Sequence, residues 1–306
     1  MGLKIGLIKD ESARWDGYNW HDEWGKYFLE LGDSIEFLDF KRSDWREQVK
    51  EKKCDAYLWR AWHRPDDRDD AKNKIYFLDN VLGSRVFPSW DMYWPYDNKV
   101  AQLDLMKELG IPHPRTFFSR DRIEIANFVK STALPVVSKC SEGACSDNVR
   151  KIDTREELET HVEELFSDQG VKTYFPWIRQ RGYVYFQEWL PINGRDMRII
   201  TLGDKAIYAC WFTSSDWKRF GEEVSISFDG IPDEAKRLCE EATKKLSHHW
   251  SAFDVAEVDG RFYILEFSSI FGFSFPKPLM ERFGSPNAHI LKHQAEYIHN
   301  LLEKNE

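Results

Sequence analysis

Apolar and polar positions alternate in two rhythms along the first ninety residues. Lys4-Ile5-Gly6-Leu7-Ile8 is an apolar run too short for a buried helix, and it reads as a strand. Residues 34–40 and 55–59 read the same way, with helical spacing between them at residues 22–31 and 44–51. Residues 85–88 supply a fourth strand, so the order predicts a small open parallel sheet with its ligand side at the carboxyl edge. The acidic run Asp66 to Asp70 is expected to be a solvated loop. Asp97 or Asn98 can cap a helix carrying Val100, Leu103, Met106 and Leu109, which Gly110 and Pro112 stop. This helix ends a first lobe, residues 1–112.

The rhythm then changes. Residues 115–118, 122–130 and 135–139 read strand, helix, strand, followed by a small polar loop at 141–148, a helix at 154–166 and a strand at 184–190. A second lobe is expected over residues 113–188. Residues 197–202 and 205–212 flank Gly203-Asp204 as a hairpin, and a helix is expected at 232–248. The third lobe, residues 189–306, contains the most informative segment: two apolar strands from Phe253 to Ser269 with Asp254 and Glu266 placed inside them. With no internal repeat and no low-complexity linker, the lobes are expected to share interfaces.

Composition narrows the function classes. In 306 residues with 42 % hydrophobic content, a formal net charge of -9 argues against a general nucleic-acid binder. The sequence has no 18-residue apolar run and no signal-like start, so neither a membrane span nor export is expected. Five cysteines with no Cys-x-x-Cys pair fit reduced thiols and a cytoplasmic setting. The 13 tryptophans are the unusual count, and many fall in polar segments that read as loops.

Three places carry candidate chemistry, each with a plainer alternative. Lys139 ends an apolar strand beside Ser141, Glu142 and Gly143, where an amine and backbone N–H groups can hold a phosphate; the alternative is an exposed lysine before a turn. Gln187, Glu188, Trp189 and Leu190 end another strand and can present hydrogen-bonding groups to a base edge, with Asp196 and Arg198 following; the alternative is an edge strand and a charged turn. Carboxylates inside apolar strands usually meet a cation, so Asp254 and Glu266 are candidate metal ligands; the alternative is two solvated strand acids. The metal reading requires both on one face. A two-residue turn at Asp259-Gly260 pairs Asp254 with Leu265 and separates the acids, so a three-residue loop is expected, with Leu265 and Phe267 toward the core.

The order Lys99, Lys139, Gln187 to Leu190, Asp196-Met197-Arg198, Asp254 and Glu266 resembles the ATP-grasp superfamily, with the RimK-like and glutathione-synthetase-like carboxylate-amine ligases as its nearest-looking branch. The likeness runs from about Tyr96 to Phe273. It implies an α/β chain of α+β lobes: a Rossmann-like N-terminal lobe followed by a two-lobed ATP-grasp fold. It also implies ATP and Mg2+ as cofactors. On that resemblance Lys99, Lys139 and the Ser141-Glu142-Gly143 loop would contact phosphates, Gln187 the adenine amino group, and Glu188 and Leu190 would act mainly through backbone groups, with Trp189 also in the nucleotide-binding set. Asp196 would bind ribose, Lys139 and Arg198 would be catalytic, and Asp254, Glu266 and Ser268 would hold magnesium.

Three departures mark this chain. Ser268 stands where the family motif Glu-x-Asn ends, and would act through water. Trp211-Phe212 stands where these ligases often carry an arginine pair, leaving Lys218 or Arg219 to clamp the acid substrate. Cys145-Ser146-Asp147 replaces glycines in the phosphate loop. Loops after the first, third and fourth strands would offer Trp20, Trp62 and Trp94 for stacking and Arg14, Arg60 and Arg64 for an acid, with packing between lobes as the alternative. The implied activity is amide or peptide bond formation from a carboxylate and an amine acceptor, each a small molecule or a peptide, with no nucleic-acid or membrane partner; a homo-oligomer is compatible with it. A kinase acting on a hydroxyl, or a nucleotide-binding protein without catalysis, stays open.

Overall fold

A computed structural model describes residues 2–11, 13, 18–61, 64–143, 148–175, 177–192, 194–214, 224–272 and 286–304. The first layer is the parallel sheet that the N-terminal rhythm predicts. Its strands β1 (Lys4–Ile8), β2 (Ser34–Leu38), β3 (Ala56–Leu58) and β4 (Val86–Phe87) lie in the order β2-β1-β3-β4. Helices α1 (Trp20–Glu30), α2 (Trp45–Lys52) and α3 (Pro65–Tyr76) connect them. Helix α3 corrects the loop expected at Asp66 to Asp70. Pro65 sits at its start, Asp66 and Asp67 face the positive end of the helix dipole, and Ala71 and Ile75 supply the buried stripe. A short turn α4 (Trp90–Tyr93) leads to α5 (Lys99–Glu108), where the Asn98 side chain caps the helix by accepting from the Ala101 N–H.

The second layer is a four-stranded antiparallel sheet. It comprises β5 (Thr116–Ser119), β6 (Val136–Ser138), β7 (Arg150–Ile152) and β10 (Val184–Glu188) in the order β5-β10-β6-β7. Helices α6 (Arg122–Ser131) and α7 (Arg155–Phe166) cover one face, packing Ile125, Val129, Leu158 and Leu165 on Val184 and Phe186. Both helices start on side-chain caps, Asp121 for α6 and a Thr154/Glu157 capping box for α7. Because strand side chains alternate, Tyr185 and Gln187 take the opposite face, away from these helices, where both are buried. The small hairpin β8 (Val171–Lys172) and β9 (Arg179–Gln180) lies between α7 and β10 in sequence.

The third layer is a five-stranded antiparallel sheet. Strands β11 (Arg195–Leu202), β12 (Lys205–Ser214), β13 (Val224–Ser227), β14 (Trp250–Val258) and β15 (Arg261–Ser268) lie in the order β13-β12-β11-β14-β15. Met197, Ile199, Trp211, Phe253, Val255, Ile264 and Phe267 pack on Ala235, Cys239 and Ala242 of α8 (Asp233–Lys245). The last helix, α9 (Pro286–Glu303), lies against α1, and Trp24 donates its indole N–H to Gln294 Oε1 at 3.2 Å. One continuous apolar cluster joins Ile5, Trp20 and Phe28 of the first layer to Ile200, Trp250 and Ala252 of the third through Leu291 and Ile298. The first and third layers therefore share a core. No helix among the described residues is long and apolar enough to cross a membrane.

Candidate functional site

The large sheet places its chemistry by register. On the face away from α8, Cys210, Arg198, Asp254 and Glu266 stand opposite one another on β12, β11, β14 and β15. Arg198 grips Asp254 through two contacts, Nε to Oδ1 at 2.6 Å and Nη2 to Oδ2 at 3.0 Å. Its planar fork matches the carboxylate, which a lysine would not reproduce. Glu266 accepts from Lys99 Nζ at 3.1 Å.

Asp254 and Glu266 share a face, but by another route than the expected three-residue loop. The connection is the two-residue turn Asp259-Gly260, both residues at positive φ (50° and 72°), with Val258 opposite Arg261. Val255 pairs with Ile264 and Asp254 with Glu266, so the intervening Leu265 is an extra residue in a bulge. The bulge changes parity in mid-strand. Ile264, and not Leu265, takes the core position; Leu265 is only partly buried.

Two buried amines reach this row from other elements. Lys99 begins α5 and is 8 % exposed; its N–H donates to the Ser141 carbonyl at 2.9 Å, and its Nζ also lies 3.5 Å from the Gly143 carbonyl. Burial works against its charge, but Glu266 and Asp97 outweigh that and hold its pKa above the usual lysine range. Lys139, just past β6, donates to Gln187 Oε1 at 2.6 Å, and Gln187 donates onward to Thr116 Oγ1 at 3.2 Å. Burial is the main cause that lowers the Lys139 pKa to about 8; Lys99 adds to it, and Glu266 opposes it. The two lysines thus differ because one holds a carboxylate and the other an amide.

The loop that precedes residue 144 is held from three sides. Ser141 N–H donates to the Tyr183 hydroxyl at 3.0 Å, and Ser141 Oγ to Asn98 Oδ1 at 3.2 Å. Gly143 N–H donates to Asp97 Oδ1 at 3.0 Å, with Gly143 at φ 139°, a conformation that favours glycine. Glu142 pairs with Arg68 Nη2 at 2.8 Å, and Arg68 Nη1 donates to Asp97 Oδ2 at 2.9 Å. Arg68 is absent from the residues selected on sequence. The only local signal was its spacing, four residues after Arg64 and four before Lys72, inside a run read as a loop.

The other selected positions are distributed as follows. Glu188 accepts from the Arg115 N–H at 2.6 Å, Trp189 lies under the Lys151 ammonium at 4.8 Å, and the Leu190 carbonyl accepts from Ile192 N–H. Asp196 is buried on the same sheet face as Arg198, opposite Phe212. Ser268 lies two residues beyond Glu266 on that face, and its hydroxyl donates to the Ile270 carbonyl. Trp211 is a correction: it belongs to the opposite, α8 face, under the Arg195 guanidinium at 3.7 Å, with its N–H on the Gly230 carbonyl at 3.3 Å. Trp20 is also a core residue, packed edge-on against Trp24 and Phe271 and covered by Arg60 at 4.3 Å. Both indoles are buried. Arg60 is itself buried, whereas Trp94 is 40 % exposed and Arg64 is exposed beside Trp177. Arg14, Trp62, Lys218 and Arg219 lie outside the described residues.

The donor set can be tested against magnesium. Among the described residues no three acidic, histidine or cysteine side chains converge as a metal cage. Two carboxylates on one face nevertheless suit Mg2+, which commonly takes one or two protein carboxylates and leaves the rest of its shell to water and phosphate. Both acids already hold cationic side chains, as groups built to face positive charge do.

No protein-family sequence model matches the chain. Comparison with solved structures gives consistent results. D-alanine–D-alanine ligase from Bacillus anthracis complexed with ATP aligns over 100 % of both chains at TM-score 0.66 and 15 % identity. A RimK domain ATP-grasp protein from Sphaerobacter thermophilus aligns over 95 % of this chain and 98 % of its own at TM-score 0.63 and 16 % identity. The ATP-grasp ligase PsnB, complexed with minimal precursor, Mg and ADP, aligns over 95 % of this chain and 97 % of its own at TM-score 0.62 and 18 % identity. At these identities the likeness is one of fold, and it spans all three layers: the chain has the ATP-grasp fold.

Proposed function

We propose that this chain is an ATP-dependent ligase that joins a carboxylate to an amine through an acyl phosphate. The observation that carries the reading is the convergence of Lys99, Lys139, Arg198, Asp254 and Glu266 between two antiparallel sheets. These are the groups that phosphoryl transfer needs, since its catalysis is chiefly positioning and charge neutralisation. Structural neighbours named as ligases, in complexes that contain ATP or Mg and ADP, support the same class.

In this scheme Gln187 to Leu190 receive the adenine, Asp196 the ribose, and Lys99 and Lys139 the phosphates. Asp254 and Glu266 would hold magnesium, which when bound neutralises phosphate charge. Arg198, paired with Asp254, would meet the transferred phosphoryl group in this scheme. A substrate carboxylate oxygen attacks the γ-phosphorus and ADP leaves; the amine then attacks the acyl carbon, phosphate leaves, and the amine proton passes to solvent. The carboxylate partner is a small molecule or a peptide, as the precursor peptide bound to PsnB illustrates for that protein.

A kinase reading is favoured by one observation: Phe212 stands opposite Asp196, where the resemblance places an arginine pair. Phosphate release separates the two. The ligase forms ADP and free phosphate only when acid and amine are both present; a phosphorylated product without free phosphate would overturn the ligase in favour of the kinase.

A further inference from the structure

The Arg68, Asp97 and Glu142 cluster does not belong to the nucleotide row, yet it ties three parts of the chain together. Arg68 comes from α3 of the first layer, Asp97 from the turn before α5, and Glu142 from the loop after β6. The guanidinium is 2 % exposed and contacts both acids, with Nη1 2.9 Å from Asp97 Oδ2 and Nη2 2.8 Å from Glu142 Oε2. Asp97 uses its other oxygen to accept the Gly143 N–H at 3.0 Å. Two residues on, Lys99 approaches the carbonyl of the same glycine while it holds Glu266. A chain of charge-assisted contacts therefore runs from Arg68 through Gly143 to the acidic row.

The cluster also carries costs that a purely structural contact would be expected to shed. Asp97 adopts φ 49°, the left-handed region, although it has a side chain. Arg68 Nε is buried with no hydrogen-bond partner among the described residues. Removing either acid would leave a buried guanidinium short of a partner, so the three groups act as a unit.

We propose that Arg68 is a positioning residue, a latch from the first layer that fixes the Ser141-Glu142-Gly143 loop against Lys99 and so sets nucleotide affinity without touching the nucleotide. This rests on the ATP reading above. The latch makes the first layer part of the nucleotide site, beyond its expected role in holding the second substrate.

Electrostatic sign gives the decisive test. Glu142 is the most exposed of the three side chains, so Glu142→Gln is the variant that best retains the fold. If Glu142 merely stood near the phosphates, removing its negative charge would tighten Mg-ATP binding. The latch predicts the opposite: calorimetric titration of the full chain with Mg-ATP gives about fivefold or greater weakening for Glu142→Gln and for Arg68→Met. The double variant binds no more than about twofold more weakly than Arg68→Met alone, because both changes break one unit. Unchanged or tighter binding by Glu142→Gln overturns the proposal. A wild type that takes up no Mg-ATP overturns the ATP reading instead. The latch is then judged by urea unfolding of the same four proteins, where coupling of about threefold or more between Arg68 and Glu142 supports it and independence rejects it.

Discussion

The two faces of the five-stranded sheet are built from the same strands, and at the level of Arg198 and Asp254 they have opposite composition. Toward α8, Trp211, Met197, Val255 and Ile264 form one row, and Phe253 and Phe267 another, all buried among aliphatic and small helix residues. On the reverse, Cys210, Arg198, Asp254 and Glu266 form the row in register between them. The difference teaches how labour is divided. The core face anchors the sheet on α8, and the polar face uses the strand register, adjusted by the bulge at Leu265, to bring two acids into line with Arg198. Substitutions on the polar face should remove chemistry and spare stability, and those on the core face should do the reverse.

The sharpest contrast is expected at Lys139 and Glu266. Lys139→Met or Glu266→Ala should lower ATP turnover by about a hundredfold or more, measured as ADP formation in the presence of acid and amine. Lys139→Met should also unfold at higher urea than wild type. Its amine is buried with its pKa lowered to about 8, so the folded chain bears a cost for its charge that methionine does not. Full turnover in either variant would break the comparison at its centre.

These faces were legible to different degrees from the residues alone. Acids inside apolar strands stand out, so Asp254, Glu266 and the strands that carry them could be read directly; so could β1, an unbroken apolar run, and the Gly203-Asp204 turn between β11 and β12. Helix α3 was hidden because its surface is almost all charge and its buried stripe needs only Arg68, Ala71 and Ile75. Arg68 could not be selected for its role, since its partners lie 29 and 74 residues away in sequence and only tertiary packing brings them together. Tryptophans in polar segments suggested a pocket, but Trp20 begins a helix and faces the shared core. The bulge at Leu265 had no signal, because a leucine in a bulge and a leucine in a core spell the same pattern.

That bulge gives the next test, with an intermediate effect. Ile264 and Leu265 are adjacent, aliphatic and equal in size, and they differ only in which part of the bulge they occupy. Ile264→Ala should cost about 2–5 kcal/mol in urea unfolding, as deletions from a packed core do. Leu265→Ala should cost less than about 1.5 kcal/mol, since part of its side chain is already in solvent. Equal costs would mean that Leu265 packs toward α8. Glu266, next in the strand, would stay on the face of Asp254, and the change of parity would not lie at Leu265.

The smallest effect is a pH dependence that separates binding from stability at one side chain. Lys139 holds its proton to about pH 10.5 when solvated, but only to about pH 8 in the folded chain. Between these values the unfolded chain binds more protons, so stability should rise with pH across that window because of Lys139. Nucleotide affinity should move the other way. Phosphate needs the ammonium form, so above about pH 8 each bound nucleotide must be accompanied by a proton, and affinity should fall by up to about tenfold per pH unit. Lys99, whose pKa Glu266 and Asp97 hold above the usual range, stays charged throughout and does not contribute to the slope. Calorimetry from pH 7 to pH 10 in buffers of different ionisation enthalpy measures the proton uptake. Subtracting the same series for Lys139→Met, in stability and in any residual binding, isolates the lysine from other groups. A wild type whose affinity is level across pH 8 would show that Lys139 is charged there already, and that the amide of Gln187 does not leave this amine the weaker base of the two.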